Sequence, residues 1–249
     1  GLHNLRLSYE LNKNEIKIYD VIMEVCEFDK NSLLKKVTEL SEENPKVEAY
    51  AQKHVDDGSK ESIQNSFDGT YDGNGHVINN INLKKDYAGL FGYLGGTVCN
   101  LGIENCNITG KYSAGIAYGN SDDTAAIINC WTSGSISGER AGGIADKYNG
   151  YIKNSYSTCI LSGTFASIKS NHQYGFDESR LDNCYIDKDN IKSEIEAREN
   201  SYMCSDKFMK NKLITYMNEW VTNNNDAIYA ERKVNLLKWK NGEYGYPVL

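Results

Sequence analysis

With 249 residues, a formal charge of −7 and a pI of about 5.2, the chain is acidic, without the basic surplus that nucleic-acid binding draws on. It has no run of the ~18 apolar residues that a membrane-spanning helix requires. Two prolines against 22 glycines and 18 tyrosines describe an ordered, turn-rich, β-leaning composition. The sequence opens at Gly1 rather than Met, as a mature or trimmed chain would, so export cannot be read from its start.

Residues 1–65 stand apart from the remainder of the chain. Leu5, Leu7, Tyr9 and Leu11 alternate with polar residues, as do Ile16 and Ile18, which predicts two strands about the turn Asn12-Lys13-Asn14. Val21 to Phe28 has the composition to extend the second strand. Ser32 then caps a predicted helix bearing Leu33, Leu34, Val37 and Leu40, and Asn44-Pro45 starts a second with Val47, Tyr50 and Ala51. The region reads as an α/β cap over a repeat domain, with an independent small domain as the alternative.

From Phe67 the sequence changes character. Phe67-Asp68-Gly69-Thr70-Tyr71-Asp72-Gly73-Asn74-Gly75-His76 sets up successive tight turns, and a block of about 25 to 29 residues then recurs four times. Each block opens on a small-residue turn and an aliphatic: Ala88-Gly89-Leu90, Ala114-Gly115-Ile116, Gly142-Gly143-Ile144 and, more weakly, Ala166-Ser167-Ile168. Each continues with an aliphatic, a spacer and an asparagine, ending at Asn100, Asn129, Asn154 and Asn183. The first three close on Ile108-Thr109-Gly110, Ile136-Ser137-Gly138 and Leu161-Ser162-Gly163.

The apolar runs are two to four residues long, rich in Ile, Val, Tyr and Thr, with no 3.6-residue period. Three short strands per block make one coil of a right-handed parallel β-helix, with the asparagines stacked as a hydrogen-bonding ladder. The fold class expected is therefore mainly β: residues 66–190 as the β-helix, 1–65 as the N-terminal cap or domain, and 191–249 as a C-terminal capping helix and strand. That helix begins at Ser205-Asp206 and carries Phe208, Met209, Leu213, Ile214, Met217, Trp220 and Val221 on its apolar face. It is expected to lie across the last coil. The tail through Leu236, Trp239, Asn241-Gly242 and Tyr246-Pro247 reads as a strand, a turn and a docked end.

The seven cysteines are odd in number and include no CxxC. Cys130 and Cys184 each follow a ladder asparagine, and Cys106 and Cys159 each sit four residues before a closing glycine. Matching cysteines two coils apart should lie roughly 9 to 10 Å from each other, too far for a disulfide. Buried free thiols are the expectation, with disulfides or a metal site as alternatives.

The motifs FDGTYDGNGHVI, AGLFGYLGG and AGGIA, with the recurring N-C-[WY], resemble the GLUG-type repeat of bacterial cell-surface proteins. The resemblance covers Phe67 to Lys188 and extends weakly to Trp239 and Tyr246-Pro247; Asn4 to Ser66 matches that family's lead-in only loosely. It implies a pectin-lyase-like β-helix, an extracellular or cell-surface location, and use as an adhesin-like module or as a non-catalytic part of large secreted proteins, IgA-cleaving peptidases among them.

Such a scaffold can carry chemistry. Glycoside hydrolysis needs carboxylates converging within about 5 to 10 Å. Asp68 and Asp72 sit in turns where aspartate bonds its own backbone. Asp122, Asp123 and Asp146, with Glu139-Arg140 nearby in sequence, could gather into an acidic patch or a weak Ca²⁺ site, against the plainer reading of a solvated loop. His3, His54, His76 and His172 share no metal-ligand spacing. No catalytic, cofactor or metal residue is assigned.

The expected function is a non-enzymatic module binding a glycan or protein partner through a rigid face, with Tyr112, Tyr118, Tyr148 and Tyr151 as candidate exposed stacking residues. A polysaccharide-active enzyme and a purely structural fragment are the alternatives.

Overall fold

The structure is a computed structural model and describes residues 5–12, 15–23, 66–170, 178–193 and 202–249. The helices expected near Ser32 and Pro45 lie outside the described residues, as do Cys26, His3, His54 and His172.

The predicted N-terminal strands form an antiparallel hairpin, Leu5–Asn12 against Glu15–Met23. The second of them lies beside Thr70–Asp72 and Val77–Asn79 of the first coil.

From Thr70 the chain winds through three parallel sheets in strict rotation, giving a β-solenoid of about four turns. The first sheet stacks Thr70–Asp72, Thr97–Cys99, Ala126–Ile128, Tyr151–Lys153 and Leu181–Asp182. The second centres on Gly102–Thr109 and Trp131–Ser137, flanked by the shorter strands of the outer coils. The third holds Tyr87–Ala88 and Phe91–Leu94, then Tyr112–Ala114 and Ala117–Asn120, Arg140–Lys147, and Phe165–Lys169. Parallel pairing continues past residue 190, through Ile191–Ser193 and Tyr202–Cys204.

Register explains the repeat. Tyr71 lies over Val98, Val98 over Ile127, Ile127 over Ile152 and Ile152 over Leu181, so the aliphatic before each ladder asparagine fills one inner rank. Ile103, Ile108, Ile136, Leu161, Ile116, Ile144 and Ile168 close the core from the other two sheets.

The asparagine ladder is present and continuous. Asn183 donates to Asn154 Oδ1 at 2.6 Å, Asn154 to Asn129 at 2.7 Å and Asn129 to Asn100 at 2.8 Å, and Asn100 ends the ladder on Asp72 Oδ1 at 2.9 Å. All four asparagines have positive φ, between 46° and 59°, so each makes the left-handed corner joining the first sheet to the second. Asparagine is the non-glycine residue best suited to that conformation, and its amide also supplies the bond between coils.

The cysteines follow the ranks but depart from the expected separation. Cys130 and Cys184 are kept apart by Ser155, whose hydroxyl accepts from Cys130 N–H, and each thiol donates to a carbonyl of its own coil. Cys106 and Cys159, also two coils apart, bring their sulfurs to 3.8 Å. The residue between them is Gly134, paired with Cys106, while Ser135 is paired with Ile160. Gly134 has φ 119°, and a Cβ there would lie 2.2 Å from the Cys106 carbonyl oxygen. Glycine leaves a gap in the inner rank, and the two thiols fill it from either side. Their backbones remain two strand spacings apart, which still forbids a disulfide, and all six described cysteines are free thiols.

The C-terminal helix is interrupted at Lys212 into α1, Asp206–Asn211, and α2, Leu213–Arg232. Ser205 caps α1 as expected, accepting from Phe208 N–H. The helices lie along the flank of the solenoid rather than across its last coil. Trp220 of α2 donates to Asp182 in the last complete coil, and Arg232 at its other end donates to Thr97 three coils away. That flank is apolar on its outer side, where Cys99, Ala126, Ile128, Trp131, Tyr156 and Tyr185 pack against Met209, Leu213, Met217, Trp220, Val221 and Ile228.

The tail then returns along the ladder. Asn100 Nδ2 donates to Asn235 O, Asn129 Nδ2 to Leu237 O, and Leu237 N–H to Asn100 Oδ1. Trp239 meets Tyr156, and Lys240–Asn241 pairs with Pro247–Val248 in a closing hairpin.

Asn129 bonds both neighbouring coils and the tail. Asn129→Ala removes those bonds and places alanine in a left-handed corner, for an expected loss of about 4 kcal/mol in urea unfolding. Asn129→Gly keeps the corner and should lose about half as much; equal losses would show that the backbone conformation contributes nothing.

Candidate functional site

The small-residue turn that opens each block bends the third sheet. Arg140–Lys147 is one strand, and six residues of straight strand would separate Arg140 from Asp146 by about 20 Å. Their side chains nonetheless form an ion pair at 2.9 Å, because the strand folds at Gly142-Gly143. A Cβ on Gly142 would sit 1.8 Å from the Ala145 carbonyl oxygen, so the bend admits no side chain there. The repeat glycines thereby give this lateral face a re-entrant bend running along the axis.

Side chains line the bend by register. Tyr87 lies over Tyr112, Tyr112 over Arg140 and Arg140 over Phe165. The Tyr87 and Tyr112 rings are 5.6 Å apart, and the Arg140 guanidinium lies 3.9 Å from the Tyr112 ring centroid. From the other side of the bend Tyr118 approaches Tyr87 at 5.0 Å and meets Tyr93 edge-on at 5.4 Å. Tyr87 is 56% exposed, Tyr112 and Tyr93 are half-buried, and Tyr118 is buried. The Lys111 ammonium stands 5.2 Å from the Tyr112 ring.

Beneath the aromatic layer lies a charged one. Asp146 is fully buried, accepting from Arg140 Nη2 and from Ser170 Oγ at 2.6 Å. Burial raises its carboxyl pKa, opposed by Ser170 and Arg140. Lys169, also buried, is lowered to about 8 by desolvation, with Asp146 pulling the other way. Arg140 Nε is buried and has no hydrogen-bond partner among the described residues.

The remaining carboxylates singled out in the sequence are held locally. Asp122 accepts from Thr124 N–H and Oγ1, both at 2.7 Å, and the backbone bond to Thr124 holds its carboxyl below the usual range. Asp123 accepts from Asn120. Both are exposed loop residues facing their own turn, whereas Asp146 faces Arg140 and Ser170, so the three share no acidic patch. Among the described residues no three His, Cys, Asp or Glu gather as metal ligands. Asp68 accepts from Ser66, and Asp72 from Asn74 N–H and the ladder, as turn residues do. His76 is exposed in its turn.

Of the four tyrosines expected at the surface, Tyr118 and Tyr148 are buried. Tyr148 is fully enclosed in the core, its hydroxyl without a hydrogen-bond partner among the described residues, because the chain turns inward between Asp146 and Gly150. Tyr151 is half-buried, with the Arg180 guanidinium 5.2 Å from its ring. Only Tyr112 lies in the bend as a partly exposed stacking residue.

Tyr87 and Tyr93 escape the sequence pattern for a local reason. Two residues separate Ala88 from Phe91, while three separate their partners Ser113 and Ala117. Aligning the sequence on the Ala-Gly pair therefore shifts Tyr112 out of step with Tyr87 by one. The shared tyrosine is legible only by counting forward from the preceding strands, where Lys84 pairs with Thr109, rather than from the glycine.

No protein-family profile matches the chain. Over 97 residues it is 42% identical to Halomucin of Haloquadratum walsbyi, a match covering 35% of this chain. The chain spans 1% of the length of that curated relative. A crystal structure of a proposed immunoglobulin A1 protease from Bacteroides ovatus aligns with a TM-score of 0.46 at 20% identity, covering 78% of this chain and 79% of that one.

The buried charge layer has a pH signature. The ordinary lysine pKa of 10.5 falls to about 8 at Lys169 in the fold. Between these values the unfolded chain holds the extra proton, so this group makes unfolding harder as pH rises from 8 toward 10.5. Thermal melts of wild type and Lys169→Met across that window should diverge, with wild type gaining relative to the variant; parallel profiles would remove Lys169 from the account.

Proposed function

We propose that the chain is a rigid, non-catalytic recognition module acting outside the cell in an adhesin-like role, and that it binds a glycan through the tyrosine–arginine bend. The observation that carries this reading is the register stack of Tyr87, Tyr112 and Arg140 on one bent face. Sugar rings present an apolar C–H face edged by hydroxyls. Aromatic rings take the first, and fixed donors such as Arg140 and Lys111 take the second. Rings held by strand register lose little freedom on binding.

The non-catalytic part rests on how the carboxylates are occupied. Asp68, Asp72, Asp122 and Asp123 each bond within their own turn or ladder, and Asp146 is committed to Arg140 and Ser170. The extracellular part rests on the resemblance to GLUG-type surface repeats and agrees with the name of the relative Halomucin.

A glycan array probed with wild type and with a Tyr87→Ala/Tyr112→Ala double variant tests the reading. Two stacking contacts of roughly 1 kcal/mol each predict at least a tenfold loss of affinity, read on folded protein, since removing the half-buried Tyr112 ring beneath Arg140 should also lower the melting temperature. Undiminished binding by the double variant would move the site elsewhere. Shortened glycan products released by wild type would make the chain an enzyme.

A further inference from the structure

The gap over Gly134 has a chemical consequence. Cys106 and Cys159 face each other across it at 3.8 Å, buried, and fixed to backbones that cannot approach closely enough for a disulfide. We infer that this thiol pair is a two-coordinate binding site for a soft monovalent d¹⁰ metal ion of the Cu(I) class.

Soft thiolates select such ions over harder divalent ones. Metal–sulfur bonds no longer than the about 2.3 Å of zinc thiolates span at most about 4.6 Å in a line, so the sulfurs, 3.8 Å apart, need part by less than about 1 Å. Side-chain rotation about Cα–Cβ supplies that movement without shifting a coil. The same molecule shows the ordinary arrangement at its other matched pair. Cys130 and Cys184 are also two coils apart, but Ser155 stands between them and their thiols are turned onto backbone carbonyls.

Binding forms two sulfur–metal bonds, releases the thiol protons and the ion's solvent ligands, and transfers no electron.

The test uses the full chain under anaerobic reduction, titrated with Cu(I) against a chromophoric Cu(I) chelator. One ion per chain should bind in the wild type and in Cys130→Ala and Cys184→Ala, and binding should raise the melting temperature. Cys106→Ala and Cys159→Ala should each abolish that binding. Retention of the tight ion in either, or its loss in Cys130→Ala, overturns the assignment. Should a Cys106 or Cys159 variant fail to fold, X-ray absorption of the wild-type complex decides. Two sulfur scatterers at one short distance are expected, and a third ligand or a nitrogen/oxygen shell refutes the site.

Discussion

The amide ladder at the corner between the first and second sheets is the constraint on which the rest of the molecule depends. Each turn of the solenoid must pass through a left-handed residue there, and a buried corner must also satisfy its polar groups. Asparagine does both. Asn100 uses its whole side chain: Nδ2 donates to Asp72 and to Asn235 O, while Oδ1 accepts from Asn129 and from Leu237 N–H. With the corner pinned, every strand on either side falls into register with the coil below it.

That register turns a linear repeat into functional surfaces. Residues at equal distance from the corner become neighbours along the axis, so Trp131 stacks on Tyr156 with planes 7° apart. On the flank beside the ladder such stacking gives an apolar strip, which α2 and the tail cover. On the third sheet, past the register shift between Thr132 and Gly134, strand pairing rather than equal distance from the corner stacks Tyr87, Tyr112 and Arg140, left uncovered by either. Wherever the rank includes glycine, the geometry changes locally. The bend at Gly142-Gly143 brings Arg140 to Asp146, and the gap at Gly134 brings Cys106 to Cys159.

How much of this was legible in advance depended on whether a feature lay along one coil or between coils. The ladder asparagines, the inner aliphatic rank, the N-terminal hairpin and the Ser205 cap follow from local propensity and period. The weak fourth block belongs to the repeat, since Ser167 lies over Gly142 and Asn183 completes the ladder. Burial of Tyr118 and Tyr148 was not legible. Nothing in an isolated tyrosine says whether its strand faces the core at that step, and a one-residue difference between turns hid Tyr87 behind a plausible alignment.

The sequence by itself determined the period, the strand-rich coil and the corner residue, because backbone preference and hydrophobic alternation act over a few residues. Only the tertiary structure decided where α2 lies, which tyrosines reach solvent and how near two thiols come. Those depend on which side of the stacked coils is left apolar and on which rank lacks a side chain. Such properties belong to neighbours a full coil or more apart along the chain, and no short window of sequence contains them.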